Sequence, residues 1–365
     1  AVETGDAGSD ATDDAPTCCH APSRFAALRA ASASSPRAEM SSESTDGGAQ
    51  VLLDGKLFAG YATDRGQQPS VWPIIGPSGH EMTRSLPLGP ARPAEKDDHP
   101  HHRSLWFAHG DVNGHDFWHG AKADARYPRI DVVTGPHTLR LGSADTPSEL
   151  TLWSETWSAA ENEPLLKASV SLATEMRQRT RILTYVVELT ALTDVTFGDT
   201  KEGTFAMRLR PELRLRGDVA RGKARGADGT EGRNLWGKRN LWVTYHGPVQ
   251  TAEGNEIHVG VALFDHPENP RHPTWWHARD YGLVAANPFG VHDFEKKPAG
   301  TGDLKLAKDG SMTLRYRIAL YTGEPDLEQL KTLWSQWARS NQERPSQLPQ
   351  GKSAKGDESN KDDSY

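Results

Sequence analysis

The stretch "VLLDGKLFAGYAT", residues 51–63, decides the fold class. Two apolar runs meet at Asp54-Gly55, a dipeptide that accepts positive φ at both central positions of a type I′ turn, so the segment predicts a tight β-hairpin. The same short, β-rich texture recurs in "HTLRLGS" (137–143), "ELTLWSETWSA" (149–159), "LLKASVSLATEM" (165–176) and "RILTYVVELTAL" (181–192). It returns in "IHVGVALF" (257–264) and "SMTLRYRIALYTG" (311–323). These runs are close to period two and are separated by Gly, Pro, Asp and Asn. Strands with one apolar face must bury it on another sheet, so the expected fold is all-β, a large antiparallel sandwich of about a dozen strands or more.

One segment breaks the pattern. In "PDLEQLKTLWSQWARS", residues 325–340, Leu327, Leu330, Leu333, Trp334 and Trp337 recur at helical spacing behind a Pro-Asp start. This predicts a single C-terminal helix packed on the sheets. Residues 1–47 are rich in Ala, Ser, Asp and Gly, and 341–365 are polar and charged. Neither stretch has enough apolar surface to offset the entropy of ordering, so both are expected to be disordered, flanking a sandwich domain at 48–340.

Across the 365 residues, Lys+Arg of 42 against Asp+Glu of 49 give a formal charge of -7. No basic tract is spaced to follow a phosphate backbone, so nucleic acid is not an expected partner. No run approaches the roughly 18 consecutive apolar residues of a membrane helix. The only cysteines, Cys18 and Cys19, are adjacent and provide no disulfide framework. The sequence opens at Ala1 without an apolar signal-peptide core, and the expectation is a processed secreted or periplasmic protein. Oligomeric state is not legible.

The chemistry concentrates in "DDHPHHRSLWFAHGDVNGHDFWHG", residues 97–120, which holds six histidines and four aspartates. Pro100 places His99–His102 in a loop feeding an extended "RSLWFAH". If residues 101–109 are extended, His101 and His109 lie about 26 Å apart and cannot share one metal through that strand. The turn dipeptide Asn113-Gly114 brings the chain back, with Asp116 or His119, toward the loop. Three readings stand. One is a metal-free acid/base site, because imidazole titrates near working pH. Another is a copper or zinc site ligated by His99, His101 or His102 and a later His or Asp. In the third, the histidines are ordinary loop hydrogen-bonders.

A second loop-rich stretch, residues 264–290, carries His266, His272, Trp276, His277, Arg279 and Asp280 among prolines and aromatics. A third, 198–215, sets Lys201 and Glu202 just before a strand, where an exposed turn pair is the plain alternative. Polar aromatic loops on a rigid scaffold are where binding groups gather. The 11 tryptophans suit sugar rings, whose apolar faces stack on indoles, although Trp153, Trp334 and Trp337 are expected in packing roles.

The motifs "DHPHHRSLWFAHGDVNGHDFW", "DTKEGTF", "NLWVTYHGPV", "GVALFDHPENPRHPTWWHARDYGL" and "AANPFG" resemble a bacterial domain of unknown function labelled PmoA-like, over about residues 50–322. The label is shared with a membrane-bound methane monooxygenase subunit, but the sequence holds no apolar run for such helices, and methane oxidation is not expected. Ser104 stands where the resemblance leads one to expect glycine, a difference that matters if the backbone there takes a positive φ. The resemblance also implies a secreted or periplasmic protein, and the all-β pattern is similar to the galactose-mutarotase-like supersandwich.

The leading reading is a carbohydrate-active enzyme, a lyase, epimerase or hydrolase acting on a sugar or polysaccharide without a required cofactor. His101, His102, His109, Glu202 and His277 are its catalytic candidates. Arg103, Trp106, Asn113, Asp116, Trp276, Arg279 and Asp280 are its substrate-binding candidates, with Asp116 and Asp280 also placed to orient an imidazole. The alternatives are a non-catalytic sugar-binding surface module and the His-ligated metalloprotein.

Overall fold

The computed structural model describes residues 38–63, 68–119, 126–143, 146–177 and 179–340. Cys18 and Cys19, most of the expected leader and the tail from 341 lie outside the described residues. The strands in chain order begin with β1 (Met40–Thr45), β2 (Gly48–Leu53), β3 (Lys56–Ala62), β4 (Ser70–Ile74), β5 (Leu105–His109) and β6 (Arg129–Arg140). They continue with β7 (Ser148–Ser158), β8 (Pro164–Arg177), β9 (Thr180–Ala191), β10 (Val195–Phe197), β11 (Gly203–Arg208) and β12 (Lys223–Gly226). The last are β13 (Trp242–Gln250), β14 (Glu256–Asp265), β15 (Trp275–Ala278), β16 (Leu283–Asn287), β17 (Leu304–Leu306) and β18 (Ser311–Thr322).

Two antiparallel eight-stranded sheets form, in the orders β1-β2-β3-β4-β5-β11-β16-β15 and β12-β13-β14-β18-β9-β8-β7-β6, with β10 and β17 as a separate pair. The all-β sandwich read from the alternation is the observed architecture. The hairpin at 51–63 is β2–β3, with Leu53 opposite Lys56 and both turn residues at positive φ (Asp54 52°, Gly55 69°). That is the type I′ geometry the Asp-Gly dipeptide favours.

Aromatic side chains close the seam between the sheets. Phe205 of β11 stacks on Tyr316 of β18 at 4.5 Å, Tyr61 of β3 meets Trp153 of β7 at 3.9 Å, and Phe107 of β5 lies against Trp157 and Tyr185. The expected helix is α2 (Leu327–Arg339), following a short α1 (Val291–Glu295) that is too brief to show a periodic pattern. Asp326 caps α2 by accepting from the Gln329 amide at 3.0 Å, and Leu330 and Trp337 are buried against Trp242, Phe264 and Tyr321. Trp153 and Trp337 are core residues, and Trp334 donates its indole N–H to the Asp265 carbonyl, so all three pack as expected.

At the amino-terminal side the ordered fold starts before residue 48. Strand β1 pairs with β2 over Met40–Thr45, and of these residues only Met40 is buried, which is why composition reads this part as leader.

Glu155 of β7 is enclosed in the seam, where its carboxyl accepts the indole N–H of Trp153 at 2.7 Å and of Trp157 at 3.1 Å. Burial outweighs these bonds and raises its pKa from 4.5 to about 7. The folded state therefore holds a proton that the unfolded state has released between those values. The resulting stability is fully present below pH 4.5 and is lost as pH rises through about 7, at a cost on the order of 3 kcal/mol. Urea unfolding of Glu155→Gln beside the unsubstituted protein should show the variant gaining relative stability by that order between those pH values. A difference that does not vary with pH would show that Glu155 is ionised in the fold.

Candidate functional site

The register of the first sheet lays out the floor of the site. Trp106 of β5 pairs with Ala206 of β11, Ala206 with Ala285 of β16, and Ala285 with His277 of β15. Residues directly opposite share a face, so this row lies on the side away from the seam, while the neighbouring row Phe107–Phe205–Ala286–Trp276 faces inward. Two alanines stand between an indole and an imidazole in a buried row that spans about 14 Å between Cα atoms. The loops at 97–102, 116–119, 199–202 and 279–281 lie over it.

Two buried guanidiniums hold the histidine loop there. Arg208, at the end of β11, donates to both Asp98 oxygens at 2.9 and 3.0 Å and to His102 Nδ1 at 2.8 Å, while its guanidinium lies 4.8 Å from the Tyr281 ring. Arg84 donates to Asp98 Oδ1 at 2.7 Å and to the carbonyls of Asp98, His99 and His102. The rings of His99, His102 and Tyr281 then stack, with 4.8 Å between His99 and His102 and 5.0 Å between His99 and Tyr281. The 97–119 and 264–290 segments thus meet on one face. Ser104, at φ 61°, occupies the left-handed region that favours glycine, and its hydroxyl donates to the Val71 carbonyl at 2.7 Å and lies 2.7 Å from the Thr83 hydroxyl.

Above the floor, the ring of His101 lies 4.6 Å from that of His119. The Asn113–Gly114 turn brings His119 back, and its Nδ1 is 2.6 Å from Asp116 Oδ2. Asp116 also accepts the amides of Trp118 and His119, so this carboxylate does orient an imidazole. The bond to Asp116 raises the His119 pKa. Burial, with His119 and His99 adding to it, lowers that of His101 to about 4. Two touching imidazoles are therefore driven in opposite directions.

Glu202 sits beside them. Burial alone would raise its carboxyl, but the 2.9 Å contact from Lys201 and the neighbouring His277 and His119 hold it below the ordinary range. His277 is buried and is lowered to about 4, chiefly by burial, and its Nδ1 has no hydrogen-bond partner among the described residues. Arg279 lies over the half-buried Tyr281 ring, 5.6 Å from its centroid.

Other candidates fall elsewhere. His102 is buried and neutral, its pKa driven far down by burial and neighbouring charges, and its Nδ1 accepts from Arg208, so it anchors the loop and is not a proton carrier. His109 is fully enclosed, its Nε2 donating to the Gly198 carbonyl at 2.8 Å, and it packs on Phe289 in the seam. Trp106 lies beneath His102, and Trp276 faces the seam with its indole bonded to the Asn240 carbonyl. Both are buried, as is Arg103, and none offers a surface to a ligand. Asn113 bonds the backbone of Asp194 and Thr196. Asp280 pairs with Arg233 at 3.1 Å and not with an imidazole. His272 is held by Asp265 at 2.6 Å, and His266 packs on Trp337, so neither joins the cluster.

Sequence reading did not single out Arg84, Asp98, Arg208 or Tyr281. Arg208 carries a signal of its own, a cation on the alternating strand "TFAMRLR". His99, His101 and His102 are stacked or edge-on and are not gathered as a ligand set. Among the described residues, the group of His, Cys, Asp or Glu with metal-compatible spacing is His246, His258 and Glu324, away from this loop in sequence.

The Arg208–Asp98 pair sets an expectation. Removing one partner of a fully buried pair costs about 3–5 kcal/mol. Asp98 is one-third exposed and keeps Arg84, so Arg208→Met should cost less, on the order of 2 kcal/mol, and should open loop 97–102 to limited proteolysis. Unchanged urea stability with no new cleavage would show that Arg208 does not hold the loop.

No curated protein matches the chain. Among solved structures, an alpha-galactosidase from Lactobacillus brevis is similar over 80% of this chain and 40% of its own, at 9% identity and a TM-score of 0.31. The Slr1438 protein from Synechocystis sp. PCC 6803 is similar over 75% of this chain and 88% of its own, at 9% identity and 0.28. A GalM/aldose epimerase homologue from C. elegans is similar over 79% of this chain and all of its own, at 7% identity and 0.26. These likenesses are too distant to bear on activity. Among the described residues no helix is long and apolar enough to cross a membrane. A model described as a family of unknown function matches residues 48–335, and the chain belongs to that family, DUF6807.

Proposed function

We propose that this chain is a carbohydrate-active enzyme in which one imidazole gives a proton to the sugar substrate and another takes a proton from it or from an attacking water. The observation that carries the reading is the His101–His119 pair, two rings 4.6 Å apart with one pKa lowered and the other raised. At neutral pH, His101 is an uncharged base. His119, its Nδ1 held by Asp116 and its pKa raised, is the acid. Ionised Glu202, backed by Lys201, faces the same space and steadies positive charge that develops on either imidazole or on a sugar ring.

Recognition falls to the rim. The exposed His99 ring, stacked on Tyr281, offers a flat face for the apolar side of a sugar, and Arg279 offers donors to hydroxyls or a carboxylate. A non-catalytic binding platform has no use for a carboxylate-oriented imidazole beside a neutral one, and this favours the enzyme over the module. The PmoA-like resemblance enters this reading as a family likeness only, and the reading includes export to the periplasm or beyond, where the substrate would be an external glycan.

Poly- and oligosaccharides incubated with the protein should yield an unsaturated product from a lyase, an epimer from an epimerase or a new reducing end from a hydrolase. On the substrate so found, His101→Ala and His119→Ala should each lower kcat by about 10²–10⁴-fold, the range of a lost general acid or base. His102→Gln and His109→Gln should act through stability. Full turnover by the first two variants would remove the assignment.

A further inference from the structure

A second cluster stands on the other sheet. Strands β13, β14 and β18 are neighbours, with His246 opposite Gly260 and Pro248 opposite His258. His258 and Gly260 are two residues apart, so His246 and His258 project from the same face as diagonal neighbours. The third member arrives from the end of β18. Gly323 donates its amide to the His258 carbonyl at 2.8 Å and turns the chain at φ 97°, a conformation that glycine takes without strain. Glu324 then reaches back between the two rings, with Oε2 3.0 Å from His246 Nδ1 and Oε1 2.8 Å from His258 Nδ1.

These approaches are close, yet they are not hydrogen bonds. The carboxylate oxygens lie off the ring N–H directions, and both Nδ1 atoms are buried without a hydrogen-bond partner. Two short N···O contacts and two unsatisfied ring nitrogens are an unfavourable arrangement for a plain ion pair. They suit a shared cation. The three ligand atoms lie within 4.8 Å of one another, and a tetrahedral ion with bonds of about 2.1 Å needs them about 3.4 Å apart, a modest adjustment shared among the three side chains.

The surroundings fit an open coordination site. His246 and Glu324 line a cleft of about 630 Å³ that also meets Lys223, Arg225 and Arg233. The strands fix the two histidines' backbone positions, and the cleft leaves a fourth position to water or a ligand. Two histidines with one glutamate is a set used by zinc sites that keep a position open. Magnesium and calcium, which prefer six or more oxygens, are poorly served by it.

We infer that His246, His258 and Glu324 form a site for a divalent transition ion of the zinc class, separate from the His101–His119 site. Lys223, opposite His246 in β12, and Arg225 and Arg233 of the cleft work against the ion's charge, so the Glu324 carboxylate is the ligand that makes binding favourable.

The test uses the full chain without a histidine tag, stripped by chelator and titrated with Zn²⁺ against a competing chromophoric chelator. A parallel Co²⁺ titration is read by visible absorption. The expected result is one ion per chain with a tetrahedral cobalt spectrum. His246→Ala and His258→Ala should weaken binding by at least about 100-fold, beyond the loss of an outer-shell partner. Glu324→Gln should weaken it by about 10-fold or more, and His101→Ala should leave it unchanged. Should His246→Ala fail to fold, the more exposed His258 and Glu324 carry the test. No stoichiometric ion, or binding indifferent to His258→Ala and Glu324→Gln, overturns the inference, as does loss of binding in His101→Ala.

Discussion

The site depends on one shared carboxylate. Asp98 takes donors from Arg84 and Arg208, two guanidiniums that are almost wholly buried, and the same arginines bind the His99 and His102 carbonyls and the His102 ring. A buried guanidinium without an acceptor is costly, so the loop is folded where it satisfies these donors. Arg208 belongs to a central strand and also lies against Tyr281, so one side chain couples the sheet, the histidine loop and the 279–281 loop. His101 is set beside His119 as a consequence, and neither ring is asked to hold the loop.

This division of labour explains how much could be read from residues alone. The strands were legible because alternation over six to twelve residues follows directly from burying one face. The turn at Asp54-Gly55 and the cap at Asp326 were legible because each rests on a local backbone requirement. The site was legible as three segments, 97–119, 198–215 and 264–290, but not as individual roles. Whether a histidine is a base or an anchor depends on what surrounds it. His102 has Arg208 on its Nδ1 and His109 has the Gly198 carbonyl on its Nε2, and both partners are about 90 or more residues away. Register decided the tryptophans, since Trp276 and His277 are adjacent in sequence and face opposite sides of the sheet. The His246, His258 and Glu324 group was hidden because its members come from two strands and the turn after a third, and none stands in a histidine-rich stretch.

Electrostatics makes the same point inside the site. Burial, with neighbouring positive charge adding to it, drives His101 and His277 toward the neutral form, and a carboxylate, chiefly Asp116, reverses the direction for His119. Glu202 keeps its charge because Lys201 is paired to it and His277 is close. An imidazole pushed toward its neutral form, one held toward its charged form by a carboxylate, and a carboxylate kept toward its ionised form therefore stand together.

The most direct test of this account is a pH titration of the histidine side chains by long-range ¹H–¹⁵N correlation NMR, assigned with single substitutions. The account predicts that His119 titrates above 6.5 while His101 remains neutral down to about 4. If the two rings instead titrate together near 6.5, their environments do not divide acid from base, and the proton-transfer assignment fails.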